Sequence, residues 1–319
     1  MRRLTFDEFI EERGSFDETV RRTPETATFC SCALWQLAAH TTMQRPEPED
    51  EYFIFEDEGN WVVFAERGGR RVFYPLEAAW MFGSPLIGDP LHALDLLRRA
   101  SQKHLESPYG FCFGGLLRGG RLHRAILSRQ DECLQFEEFD ATDCMEIDLA
   151  EGVEAWFERR SKRFRKVVRK RKLPDDIEII DAQDISAEEI FERIVAIQQE
   201  TYKWREGSDI FQGESYRRFY RTLLDLLHPN GNHRVLFARR GDEDLAYIFG
   251  GISGGIYRGF QMSYVETVKE LELGNILQVE NLRRRAEEGI KKYDLGMYSE
   301  YKERWADRHD EYCGVFMVW

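Results

Sequence analysis

Residues 244–265 read DLAYIFGGISGGIYRGFQMSYV, two strand-like runs on either side of a glycine pair. Gly254-Gly255 supplies the positive-φ backbone of a two-residue hairpin turn, so 244–253 and 256–265 are expected to pair antiparallel. Leu273-Gly274-Asn275 then opens a helix reaching about Gly289. A strand, Lys292-Tyr293-Asp294-Leu295-Gly296, and a charged aromatic cluster from Glu300 to Trp305 follow. A helix that starts after a glycine just beyond a strand presents unpaired backbone N–H groups. Gly274 and Asn275 are therefore a candidate anion cradle.

Upstream, the segment 234–240 reads as a strand, and 214–228 as a helix closed by Pro229-Asn230-Gly231. Ser186 with Glu189 is a capping box whose helix reaches Trp204. A basic helix is expected from Gly152 to Leu173, stopped by Pro174. The first half has a capping box at Thr5 and Glu8, a meander over 51–75, and a helix started by Asp89-Pro90 and running to about Glu106. Tyr109–Leu117 and Arg121–Ser128 read as strands paired across Gly119-Gly120, and 133–148 and 311–319 as further strand. The two halves share an order of elements, which suggests a duplicated α+β unit with its boundary near Leu149–Glu151: one domain over 1–150, a second over 151–319.

With 42% hydrophobic and 13% aromatic residues, the 319-residue chain can build real cores. A net charge of -13 argues against a general DNA binder, because affinity for phosphate backbones needs positive surface. The six cysteines are scattered and complete no zinc motif, which suits free thiols in a reducing cytoplasm. No histidine spacing marks a metal site. The charged N-terminus lacks the apolar core of a secretory signal, and no run approaches the roughly 20 apolar residues of a membrane span. A cytoplasmic protein without a membrane span is expected.

Three constellations are candidates for chemistry. Asp294, Tyr298, Glu300, Tyr301, Lys302 and Trp305 combine proton donors, acceptors and a cation beyond a strand end. The basic helix buries a stripe including Trp156, Phe157, Phe164, Val167 and Val168 and turns Arg163, Arg165, Lys166 and Arg169 outward. So dense a block of one sign is destabilised by repulsion at i, i+4, which an anionic partner would offset. Tyr202–Gly207 ends a helix with charged and aromatic residues that fit a pocket lining or a helix cap.

The second half resembles the Gcn5-related N-acetyltransferase (GNAT) superfamily, in the branch shared by Fem-like peptidyltransferases and acyltransferases of cellulose biosynthesis. The resemblance rests on the basic run Ser161–Lys166, Trp204, the 245–265 hairpin, Leu273–Leu277, Tyr293–Gly296 and Glu300–Trp305. It implies an α+β fold of two tandem GNAT-like lobes, each a mixed, mostly antiparallel sheet flanked by helices, the first lobe degenerate. It implies an N-acyltransferase using acyl-CoA or an acyl-carrier thioester as co-substrate, no metal, and an amine acceptor. Gln261, Met262 and Ser263 would lie on the strand along the donor's pantetheine arm, and Gly274, Asn275 and Ile276 would face its pyrophosphate. Tyr301 would protonate the leaving thiolate, Lys302 would hold donor or acceptor, and Asp294 or Glu300 would take the amine's proton. Only one glycine and two acids stand where that diphosphate binds, so a carrier protein or an aminoacyl-tRNA suits the basic helix equally as donor.

Overall fold

The Thr5 hydroxyl and the Glu8 carboxylate cap one another's amides and start α1 (Phe6–Arg22), which leaves the short edge strand β1 (Arg2–Leu4). After the small helices α2 (Thr28–Ser31) and α3 (Ala33–Ala39) comes the meander β2 (Tyr52–Asp57), β3 (Asn60–Glu66) and β4 (Val72–Pro75). The two-residue strand β5 (Leu86–Ile87) pairs with β3, and α4 (Pro90–His104) follows it. Then come β6 (Gly110–Leu117), α5 (Arg121–Leu127) and β7 (Gln135–Asp140). This computed structural model describes residues 1–48 and 50–319. They divide into one unit of Met1–Asp143 with Asp310–Trp319 and another of Cys144–His309.

Residues 121–127 form a helix rather than the expected strand, because Leu122, Ala125 and Ile126 fall at helical spacing and pack into the first unit's core.

The second unit opens with β8 (Cys144–Asp148) and the helices α6 (Gly152–Arg159) and α7 (Lys162–Lys170). It continues through β9 (Glu178–Asp181), α8 (Ala187–Gln199), α9 (Tyr202–Arg205) and α10 (Glu214–Leu227). The strands β10 (His233–Arg240), β11 (Glu243–Ser253) and β12 (Ile256–Tyr264) form the antiparallel run, with the expected turn at Gly254-Gly255. After α11 (Leu273–Glu287) come β13 (Lys292–Met297), α12 (Glu300–Glu303), β14 (Arg308–Asp310) and finally β15 (Tyr312–Val318). The basic segment is two helices, not one. The Ser161 hydroxyl accepts the Phe164 amide and caps α7, while Arg160 turns away to the carbonyls of Trp305 and Ala306. Val167, expected in the buried stripe, is 43% exposed.

The two sheets run β1-β2-β3-β4-β6-β15-β7 and β14-β8-β13-β12-β11-β10-β9. The first sheet is completed by β15, from the C-terminal end of the chain, and the second by β8, the strand that opens its own unit. β8 lies between β13 and β14, and β15 lies between β6 and β7. The division of the chain therefore differs from a single boundary at 150: residues 144–148 join the second sheet, and 312–318 return to the first. The fold is α+β, two mixed and mostly antiparallel sheets flanked by helices.

Each sheet parts at its own short parallel pairing. β12 and β13 are parallel partners only at Tyr257–Tyr293 and Arg258–Asp294, and bulges at Phe260 of β12, opposite Phe249 and Gly250 of β11, and between Asp294 and Gly296 of β13 bend them away. β4 and β6 pair only at Val72–Gly110 and Phe73–Phe111.

Candidate functional site

The two splits differ in what fills them. In the first unit the chain fills its own. The Gly115 amide donates to the Met81 carbonyl at 2.7 Å, and a Cβ on Gly115 (φ +62°) would lie 2.5 Å from the Phe82 oxygen. The segment is tied down by Glu77, fully buried, whose carboxylate accepts the amides of Trp80 (2.7 Å), Met81 (3.2 Å), Phe82 (2.8 Å) and Gly83 (3.2 Å). Burial raises the Glu77 pKa, and those four amides work against the rise. The start of α4 is also occupied: the Asp89 carboxylate accepts the amides of Leu91 and His92, and Pro90 has no N–H. About 10 Å³ remains beside Gly88, Pro90 and Gly115, room for no more than a water.

In the second unit the split is open. A cavity of about 500 Å³ lies at the start of α11, lined by Arg171, Tyr202, Ser263, Tyr264, Glu272 and Gly274 among others. A cavity of about 380 Å³ lies where β12 and β13 part, lined by Phe249, Phe260, Gln261, Gln278, Tyr293 and Lys302 among others. Lys203, Met262 and Tyr301 line both.

At the first cavity, α11 starts at Glu272 in left-handed backbone (φ 51°) with no side-chain cap. The Asn275 amide turns back to the Glu272 carbonyl at 3.0 Å and that of Ile276 at 3.4 Å, so Leu273 and Gly274 carry the outward first-turn amides. The Asn275 and Ile276 amides are therefore not the cradle expected from the sequence. Ile276 lines neither cavity and packs beside Leu273 and Leu277. A Cβ on Gly274 would touch Met262 at 3.4 Å, ordinary contact, so glycine here leaves room in the cavity rather than relieving strain. The Arg171 fork grips the Glu272 carboxylate and lowers its pKa.

At the second cavity, Tyr301 and Lys302 project from α12, which is anchored by Trp305. That indole is fully buried and stacked on Trp156 at 5.9 Å, and its carbonyl accepts the Trp156 Nε1–H at 3.0 Å. The Tyr301 hydroxyl donates to Asn275 Oδ1 at 3.1 Å, and burial raises its pKa against the Arg304 and Arg171 guanidiniums. Lys302 donates to the Met297 carbonyl at 2.9 Å. Burial, helped by the Arg258 guanidinium and opposed by Asp294, lowers its pKa to about 8.

Neither carboxylate expected as a proton acceptor is free in a cavity. Asp294 is ion-paired to the buried Arg258 and takes the Gly296 amide at 2.6 Å. Glu300 is exposed and lines neither cavity. Of the strand residues, Gln261 lines the 380 Å³ cavity, Ser263 the 500 Å³ one, and Met262 both; Gln261 also donates to the Tyr220 hydroxyl at 2.8 Å. Lys203 belongs to the Tyr202–Gly207 segment expected as pocket lining or helix cap, whereas Arg258, Tyr220 and Gln278 were not among the expected site residues. Tyr220 and Gln278 look like ordinary helix residues, and Arg258 like one charge in an apolar strand; that isolated charge was the available signal.

Arg163, Arg165, Lys166 and Arg169 lie on α7 and line neither cavity. Arg169 lies 3.9 Å from Glu154, and its guanidinium stands over the Phe157 ring. All six cysteines are free. Among the described residues one group could hold a metal, His123 with Glu138 and Cys313 in the first unit. His123 Nδ1 accepts the Gly119 amide, so in the neutral ring Nε2, 3.3 Å from Glu138, carries the proton and offers no lone pair. Among the described residues no helix is long and apolar enough to cross a membrane.

Residues 159–303 match the sequence family described as "Acetyltransferase (GNAT) domain", which spans both cavities. The second unit is a GNAT domain. Along its whole length the chain has the fold of FemX, with a TM-score of 0.72 at 10% identity, covering 100% of this chain and 98% of that one. It is similar to L-PGS from Bacillus licheniformis (TM-score 0.55, 13% identity, 95% and 90% covered). It is also similar to a tandem GNAT protein from the clavulanic acid biosynthesis pathway (TM-score 0.50, 13% identity, 99% and 97% covered). No curated protein matches the sequence. The GNAT match thus belongs to residues 159–303, and the likeness to FemX and the tandem GNAT protein is one of fold. Its open split lies in the GNAT unit of residues 144–309, and the split of the other unit is self-filled.

Proposed function

We propose that the GNAT unit is an N-acyltransferase that moves an acyl group from a thioester, on CoA or an acyl carrier protein, to an amine. The reading rests on two open cavities that share Lys203, Met262 and Tyr301, one at the start of α11 and one where the sheet parts. The donor's carrier arm occupies the first and runs along Gln261, Met262 and Ser263. Its carbonyl reaches the second.

There the amine nitrogen attacks the carbonyl carbon, the C–S bond breaks, and the Tyr301 hydroxyl gives its proton to the departing sulfur. A phenol with a raised pKa stays protonated until that moment. No carboxylate lines the 380 Å³ cavity, so the amine's proton goes to Lys302, whose pKa of about 8 leaves a neutral fraction near pH 7.5. Positioning two reactants in one cleft supplies most of the acceleration, and no covalent enzyme intermediate is needed.

The whole-length likeness in fold to FemX supports a second reading, an aminoacyl ester on tRNA as donor in a Fem-like transfer. Calorimetric titration with CoA, an acyl-CoA, an acyl-pantetheine and an aminoacyl-tRNA separates the two. Binding of a thioester supports the first. Binding of the charged tRNA alone supports the second, and binding of none removes both.

A further inference from the structure

The helix α7 and its two following residues carry cations that the protein itself does not neutralise. Arg169 and Arg171 are near Glu154 and Glu272, but Lys162, Arg163, Arg165, Lys166, Lys170 and Lys172 have no ion-pair partner among the described residues. Lys162, Lys166 and Lys170 follow at i, i+4, i+8 and form one exposed stripe, since the opposite face buries Phe164 and Val168 in the core. Like charges so spaced repel, and nothing in the unit offsets them. Immediately beyond, Arg171 lines the 500 Å³ cavity, so the stripe leads to the start of α11.

We infer that α7 docks an acidic helix of the protein that carries the acyl donor. This rests on the acyl-transfer reading and adds the partner to it. Three features favour a protein helix over a nucleic acid. The stripe is short: nine helical residues span about 13 Å. Exposed Glu151, Glu154 and Glu158 before it, and Asp175 and Asp176 after it, would repel a longer phosphate backbone. Val167, 43% exposed beside the cations, offers an apolar contact that a helix can cover. Complementary charge of this kind acts mainly through association rate and is screened by salt.

The test compares the protein with the triple variant Lys162→Glu, Lys166→Glu, Lys170→Glu, none of which lines either cavity. The probes are the octanoyl forms of the acyl carrier proteins of fatty-acid and peptide synthesis, octanoyl-pantetheine, and bulk tRNA, each titrated at low and high salt. Expected is carrier binding that weakens at least tenfold in the variant and falls with salt. Octanoyl-pantetheine binding and the melting temperature stay unchanged. Failure of octanoyl-pantetheine to bind the unaltered protein would overturn the acyl-transfer reading beneath the proposal. If that probe binds but neither carrier does, or the variant keeps carrier affinity, the docking assignment fails alone. A steep salt-dependent tRNA affinity lost in the variant would also overturn it, giving the stripe to a nucleic acid.

Discussion

Arg258 and Asp294 are partners on the last parallel rung of β12 and β13, and their side chains form a buried ion pair beside the point where the strands part. Arg258 is 3% exposed. Neither residue lines the cavities, but the guanidinium helps lower the pKa of Lys302. Removing one partner strands the other without water. Arg258→Met is expected to cost about 3–5 kcal/mol in urea unfolding, and Arg258→Met with Asp294→Leu less than that. A single-variant loss below about 1 kcal/mol, the range of a solvated pair, would contradict this account.

Tyr301→Phe removes one hydroxyl and its hydrogen bond to Asn275 but keeps the ring. Stability should fall by only about 1 kcal/mol. The transfer rate should fall about 100-fold or more, with the deficit shrinking for donors whose leaving group needs no proton. Equal losses for all donors in steady-state assays would deny the phenol a proton-transfer role.

Lys302 gives a pH signature. Its folded pKa is about 8 and its ordinary value 10.5, so between these the unfolded state holds more protons. Stability then rises with pH across that window, and below about pH 8, where the ammonium is charged in both states, its burial is at full cost. Lys302→Met should abolish the rise in melting curves recorded from pH 7.5 to 10. In the enzyme reading, kcat/KM should climb through an apparent pKa near 8 and lose that limb in the variant.

Gly115 admits the segment that fills the first unit's split. Gly115→Ala adds a Cβ in left-handed backbone, 2.5 Å from a carbonyl oxygen, and should destabilise the protein by several kcal/mol. With that split filled, titration of the unaltered protein should give one donor per chain. Two equivalent donors per chain would show that the segment yields.

Gly274→Val places three carbons beside Met262 and Tyr264, in the space that lines the cavity. Donor affinity should drop at least tenfold with little change in melting temperature. Retained affinity would move the donor away from the start of α11.

Much of the fold was legible because its signals are local. The Thr5–Glu8 capping box, the Asp89-Pro90 helix start and the Gly254-Gly255 hairpin each involve residues within a few positions, where hydrogen-bonding geometry and backbone sterics suffice. The pattern of 273–305 likewise located α11, β13 and α12, and with them Tyr301 and Lys302. Local reading failed where two conformations fit: 121–127 has a periodicity that burial resolved as helix, and Ser161 broke the basic helix once Arg160 found Trp305 and Asp307.

By itself the sequence determined the classes of its elements, their order and the tandem plan, because propensity and periodicity are properties of neighbours along the chain. Tertiary structure alone decided that β15 returns to complete the first sheet, that β8 pairs with the distant β13, that Arg258 meets Asp294, and that one split is filled while the other stays open. Those outcomes join residues tens to hundreds of positions apart, through packing and charge neutralisation that no short window encodes.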